Sequence, residues 1–153
     1  MNAVINTPFL PIWPGDETLR CTARVEETPD CATFELAAGY SAQFVYHPGQ
    51  FVTLGIEIEG RKHHRAYSIS SSPSRPDTLA ITVKRVEGGL VSNHLIDHIR
   101  PGDSFEVSAP MGEFHLNTAV PPKEIVLLSS GSGITPVMSM ARWLLDTARL
   151  PST

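Results

Sequence analysis

Four consecutive residues, Arg65-Ala66-Tyr67-Ser68, bring a phosphate-seeking cation, an aromatic face and a hydroxyl together. In an extended strand alternate side chains share a face, so Arg65 and Tyr67 project the same way. A guanidinium fork pairs with phosphate oxygens and an aromatic ring offers a stacking surface. The pair suits a ligand that carries both a planar ring system and a phosphate, and a flavin nucleotide is such a ligand. Alone, the four residues also fit a plainer reading: a strand-face ion pair, an edge aromatic and a solvated hydroxyl. Two other stretches bear on the choice. Gly88-Gly89 precede an apolar pattern over Val91 to Ile99 that predicts a short helix, whose exposed N–H groups would welcome an anion. Gly131-Ser132-Gly133-Ile134-Thr135-Pro136 turns sharply ahead of a second helix, with Pro136 standing where a dinucleotide fingerprint has a small residue.

The elements that must position these residues follow from periodicity. Leu19, Cys21, Ala23 and Val25 alternate with polar residues, as in a half-buried strand, and Thr28-Pro29-Asp30 turns the chain into a second strand over Thr33 to Ala37. Val52, Leu54, Ile56 and Ile58 share one face of the next strand. Gly60 to His64 is read as the turn leading to Arg65, Tyr67 and Ile69, so that His63 and His64 form a solvated hairpin tip rather than a metal site. A loop over Ser70 to Asp77 is followed by a strand with Leu79, Ile81 and Val83, and Pro101-Gly102-Asp103 by a strand over Phe105 to Ala109 and an extended piece around Phe114 to Leu116. The expected fold is mainly β: a six-stranded antiparallel Greek-key barrel with one short helix. After Pro121-Pro122 the continuous apolar run Ile125 to Leu128 reads as a strand buried on both faces. Thr135 reads as a helix cap, Pro136 as the first helical residue, and Val137, Met140, Ala141, Leu144 and Ala148 as the apolar helical positions. That is the first β-α unit of a truncated doubly wound α/β domain.

Composition narrows the partners. The 153 residues suit one well-buried core, and a net charge of -4 gives no reason to expect nucleic acid or a membrane surface. Residues 1–16 contain Pro8, Pro11 and Pro14 without a basic start or a long apolar run. They read as an extended arm placing Phe9 and Trp13 on the body, with neither a signal peptide nor a spanning helix and a cytoplasmic default location. Cys21 and Cys31 cannot supply the four ligands of an iron–sulfur cluster, so such a group would belong to a partner or another part of the protein.

In order and spacing, Arg65 to Ser68, the segment from Thr82-Val83-Lys84-Arg85 to Gly89-Leu90-Val91-Ser92, and Gly131 to Pro136 resemble the ferredoxin-NADP reductase-like flavoprotein family. The resemblance covers about residues 19–148, and Pro48-Gly49-Gln50-Phe51 and Met111-Gly112-Glu113-Phe114 look like its barrel landmarks. It implies an FAD-binding barrel over 17–120 behind the arm of 1–16, and over 123–153 the start of a truncated NAD(P)-binding domain. Arg65 would bind the pyrophosphate, Tyr67 would stack on the flavin ring, and Ser68 would hydrogen-bond near flavin N5. Val83 and Lys84 would line the ring and ribityl chain, with Lys84 favouring negative charge on the reduced ring. Gly89, Leu90, Val91 and Ser92 would present N–H groups and a hydroxyl to the pyrophosphate, and Thr135 would close over the flavin.

The FMN-using branch of the family carries an arginine where this chain has Leu90, which favours FAD. The implied activity is an NAD(P)H-dependent oxidoreductase passing electrons through FAD to an iron–sulfur acceptor. Local similarity points to reductases of hybrid-cluster proteins or Rieske-type oxygenases. Two alternatives remain: a non-enzymatic β-barrel binding module, and a flavin-carrying subunit that depends on another chain for its donor. Because Met140 and Leu144 would lack their partner sheet, a homodimer through the C-terminal helix is a further expectation.

Overall fold

The computed structural model describes residues 10–119 and 124–147. Two hairpins begin it: β1 (Glu17–Thr28) with β2 (Cys31–Ala37), and β3 (Phe51–Ile58) with β4 (Arg61–Ser68). β5 (Leu79–Lys84), α1 (Leu90–His98) and β6 (Ser104–Val107) complete the barrel, and α2 (Ile134–Asp146) follows a single tight turn at Gly131–Gly133. The six strands run in the order β4-β3-β6-β1-β2-β5, every neighbouring pair antiparallel. An isolated bridge between Ile69 and Ile81 joins the two ends of that order, so the sheet closes on itself. The expected six-stranded barrel is therefore the observed one.

Closure buries the alternating residues that the sequence marks. Leu19, Phe34, Leu36, Val52, Leu54, Ile81, Val83 and Phe105 fill the interior, and Leu95 and Ile96 of α1 join the same core. Fully burying such a side chain contributes about 1.5–3 kcal/mol. The arm does place Trp13 on the body, its ring 5.1 Å from that of Phe44; Phe9 lies outside the described residues.

The differences from the periodic reading have local causes. β1 is irregular between Cys21 and Ala23, and a bulge shifts which side chains face inward. Val25, expected inside, is 47% exposed, while Arg24 turns toward the barrel and donates to the Ile96 carbonyl. His63 and His64 are not at a hairpin tip: β4 starts at Arg61, and the turn is Glu59-Gly60, both at positive φ as tight two-residue hairpins require. Phe114 to Leu116 form no strand; that segment lies beside the bridge between Phe51 and Met111. Ile125 to Leu128 form no strand either, and Val126 and Leu128 are 81% and 84% exposed. A strand buried on both faces needs neighbours on both sides, and none of the described residues supplies them.

α2 also departs from expectation in how it starts and what it covers. Gly133 is its N-cap, so Thr135 and Pro136 sit inside the first turn, where proline's missing N–H would have had no helical partner anyway. Met140 and Leu144 are buried, not exposed, so the lack of a partner that made them grounds for a homodimer does not hold; Ala148 lies outside the described residues. The methyl of Met140 lies over Gly49, where φ is +108° and where an added Cβ would stand 2.5 Å from the Phe114 carbonyl oxygen. Only glycine tolerates that backbone and that close approach of the main chain together. The Ser- and Pro-rich loop over 70–77 holds the other side of the helix. Ser139 Oγ and Arg142 Nη1 donate to the carbonyls of Ser71 and Ser70, and Asp146 accepts from Arg75 at 2.7 and 3.1 Å and from Ser74 Oγ at 2.6 Å.

The Arg75 and Ser74 donors hold the Asp146 carboxyl down at about 2, below its ordinary 3.8. A carboxylate whose folded value is depressed adds stability that is present above its ordinary value and lost as pH falls through the folded one. The melting-temperature gap between the wild type and Asp146→Asn should therefore stay constant from neutral pH to about 4.5 and close between about 4 and 2. A gap that persists unchanged at pH 2 contradicts this clamp.

Candidate binding site at the barrel seam

β4 and β5 meet at the Ile69 to Ile81 bridge and part beyond it. Antiparallel continuation would set Ser68, Tyr67 and Ala66 against Thr82, Val83 and Lys84, but none of these is paired across the seam. The gap between the strands is a cleft of about 420 Å³, lined by Ala66, Tyr67, Ser68, Thr82, Lys84, Arg85, Val86, Ser92, Ser132 and Thr135. That volume lies within the range of about 300–1,000 Å³ usual for small-molecule sites. Residues from β4, β5, the start of α1 and the start of α2 thus share one cavity, although they are far apart in sequence.

Five of the residues singled out from sequence line this cleft directly: Tyr67, Ser68, Lys84, Ser92 and Thr135. Tyr67 is half-buried and packs against the barrel core. Burial pushes its phenol above the ordinary 10, and the positive charge of Arg65 pulls it partly back. Among the described residues, no partner takes the hydroxyls of Ser68 or Thr135. Lys84 pairs with Asp30 at 3.5 Å across the β1–β2 turn.

Ser92 accepts the Val86 N–H at 3.2 Å, which leaves its own hydroxyl proton for an incoming acceptor. Gly89, the N-cap of α1, lies so close that an added Cβ would stand 2.7 Å from Ser92 Oγ and 3.0 Å from the Val86 carbonyl oxygen. The first bond back into the helix runs from Asn93 to Gly89, so the N–H groups of Leu90, Val91 and Ser92 precede the helical ladder. There is no acidic residue in that first turn to repel an anion.

The remaining candidates stand around the cleft. Arg65 is exposed, donates to the carbonyl of His64 at 2.7 Å and joins no ion pair with a described residue, so its charge is free for a ligand. Val83 is buried in the core, so only its backbone is available at the open edge of β5. Leu90 is exposed at the helix start, and Val91 is buried beneath it. Sequence reasoning missed Thr82 and Arg85 as lining residues. Thr82 was legible as the polar position between inward-facing Ile81 and Val83. Arg85 reaches Asp97 of α1 at 2.6 and 3.0 Å, a contact between distant elements that no local pattern announces.

A stacking tyrosine, an unpaired guanidinium, a helix start and two uncommitted hydroxyls fit a ring system joined to a phosphate group. If Arg65 stands beside Tyr67 as described, Arg65→Ala should raise the Tyr67 phenol further, because only the opposing burial remains. Titration of the tyrosine ring carbons by NMR checks this; a Tyr67 value that stays put or falls would place the guanidinium elsewhere.

The family model of the oxidoreductase FAD-binding domain matches residues 18–116. The glycine betaine monooxygenase reductase subunit of Pseudomonas aeruginosa is 47% identical over 133 residues, covering 87% of this chain and 36% of that protein. Phthalate dioxygenase reductase, described as a modular structure for electron transfer from pyridine nucleotides to [2Fe-2S], superposes with a TM-score of 0.75 at 31% identity, over 86% of this chain and 40% of that one. A ferredoxin NADP+ reductase from Neisseria gonorrhoeae with bound FAD and NADP gives a TM-score of 0.71 at 26% identity, over 88% of this chain and 53% of that one. The chain thus spans only 36% of the length of its bacterial reductase-subunit relative.

Proposed function

The chain belongs to the oxidoreductase FAD-binding domain family, and on that premise we propose that it is the flavin-carrying part of an NAD(P)H-dependent reductase serving an oxygenase. The single observation that carries this reading is the seam cleft, which gathers the stacking ring, the hydroxyls and the helix start in one place. Residues 17–120 hold FAD, and 123–153 begin the lobe that receives the pyridine nucleotide. The relatives' identities as oxygenase reductases support an iron–sulfur acceptor on a partner or a further domain.

FAD, when bound, accepts a hydride and gives up its electrons singly, which is what joins a nicotinamide donor to an iron–sulfur acceptor. The protein's own residues orient and insulate that chemistry. Arg65, the N–H groups of Leu90, Val91 and Ser92 and the Ser92 hydroxyl would hold the pyrophosphate. Tyr67 would stack on the ring, and Ser68 would supply a hydroxyl to it. The backbone of Val83 would line the ring, and Lys84 would add positive charge near it. Thr135 covers the cleft from α2, so the clamp of α2 onto the 70–77 loop is also what keeps water from that side. Exposed Leu90 leaves the helix start without the side-chain cation that a terminal monophosphate would require.

Purified protein should carry FAD rather than FMN, and Arg65→Ala should weaken FAD binding by roughly 10- to 100-fold, the loss of one charge-assisted contact of about 1.5–3 kcal/mol. Fluorescence titration of the flavin-free protein measures it. A colourless protein that takes up no flavin would instead identify a barrel used only as a binding module. These 153 residues should oxidise NADH slowly and without saturation; efficient, saturable turnover would show a complete nicotinamide site within them.

A further inference from the structure

We propose that Glu27, Thr33 and Thr82 form a proton relay between the seam cleft and solvent, a role that rests on the reading of the cleft as the flavin site. Thr33 and Thr82 stand directly opposite each other on β2 and β5. Their hydroxyl oxygens are 2.8 Å apart, Thr33 donates to Glu27 Oε1 at 2.7 Å, and Thr82 lies 3.0 Å from Ser70 Oγ, which in turn is 3.2 Å from the Ala80 carbonyl. Thr82 borders the flavin cleft, and Glu27, exposed at the end of β1, borders two solvent-open depressions beside it. Three oxygens thus run from the cleft wall at Thr82 to a surface carboxyl, and Ser70 Oγ and the Ala80 carbonyl continue the chain on the far side of Thr82. Thr33 and Ser70 are both buried and Thr82 is half-buried, and Thr33 borders the same depression as Glu27, so the line runs just beneath the surface.

Counting protons gives the line two polarities. Each hydroxyl has one proton to donate. With Glu27 ionised, Thr33 must donate to it, Thr82 must then donate to Thr33, and the Thr82 proton is unavailable to Ser70. With Glu27 protonated, the carboxyl donates to Thr33, Thr33 to Thr82, Thr82 to Ser70 and Ser70 to the Ala80 carbonyl, and every contact is satisfied. The same oxygens therefore support both directions without moving.

Transfer balances at each atom. A proton released in the cleft binds Thr82 Oγ1 as the Thr82 hydroxyl proton passes to Thr33 Oγ1 and the Thr33 proton to the Glu27 carboxylate. One O–H bond forms and one breaks at each threonine, and one proton reaches Glu27 without any electron moving. Rotation of the hydroxyls, with Ser70 as acceptor, and loss of the proton from Glu27 to water restore the start. Such an exit is needed because passing electrons singly to a metal cluster leaves behind the proton that arrived with the hydride. The groups around Glu27 are Glu35, Arg75 and Arg142, which line the same depression. Cys31 is the other; burial first, and then the Glu27 charge, push its thiol up.

Glu27→Gln and Thr33→Val break the line at different points and leave every residue assigned to FAD binding in place. The holoprotein, reduced with dithionite, is mixed with ferricyanide, and flavin absorbance is followed in H2O and in D2O across pH. Both variants should retain FAD affinity, slow reoxidation by roughly tenfold or more and lose the solvent isotope effect, at the modest end of general acid–base contributions. In the flavin-free protein the Thr82 methyl resonance should follow a carboxyl titration in the wild type and cease to follow it in both variants. Unchanged reoxidation and a Thr82 methyl insensitive to pH, in protein that binds FAD, overturn the relay alone. A wild-type protein that takes up no FAD overturns the reading beneath it and the relay with it.

Discussion

Every strand edge presents N–H and C=O groups that need partners, and a barrel exists because closure supplies them. Here closure rests on one bridge, Ile69 to Ile81, beyond which β4 and β5 separate and leave two edges facing a gap. The gap is the candidate site. Its walls are strands, so the side chains on them are fixed by register, and its ends are the starts of two helices. Had the pairing continued through Tyr67 and Val83, the same residues would have formed an ordinary sheet with no room for a planar ligand.

What surrounds the gap is arranged to keep it open and covered. Arg85 binds Asp97 and so ties the end of β5 to α1, while Arg75 and Ser74 tie the 70–77 loop to the end of α2. Exposed ion pairs of this kind add little stability individually. Their use lies in position: the Arg85–Asp97 pair joins two elements that line the cleft, and the Arg75–Asp146 pair anchors the helix whose start carries Thr135. Arg65, in contrast, joins no ion pair with a described residue, and a cation left free beside an open cleft is poised for an anionic ligand.

Much of this was legible in the sequence because it is periodic. Alternation located the strands that hold Arg65, Tyr67 and Val83, and the glycines before Leu90 located the start of α1. The failures share a cause: they depend on contacts between residues distant in sequence. A bulge near Thr22 turned Val25 out and Arg24 in. Ile125 to Leu128 look like a buried strand, yet burial is conferred by neighbours, and Val126 and Leu128 are exposed. Met140 and Leu144 looked unpartnered because nothing local reveals that α2 lies over Gly49 and the 70–77 loop. The hydroxyl line from Thr82 to Glu27 was invisible for the same reason, since its members come from β1, β2, β5 and the loop after β4.

The central claim is that the unpaired seam between β4 and β5 is where FAD sits. Mapping amide chemical shifts of the flavin-free protein as FAD is added addresses it most directly. The account predicts that the shifts concentrate at residues 65–68, 82–86 and 89–92 and at Thr135. They should leave untouched the depression on another face of the barrel lined by Glu17, His64 and Glu106. Shifts centred on that depression, with the seam unmoved, would contradict it.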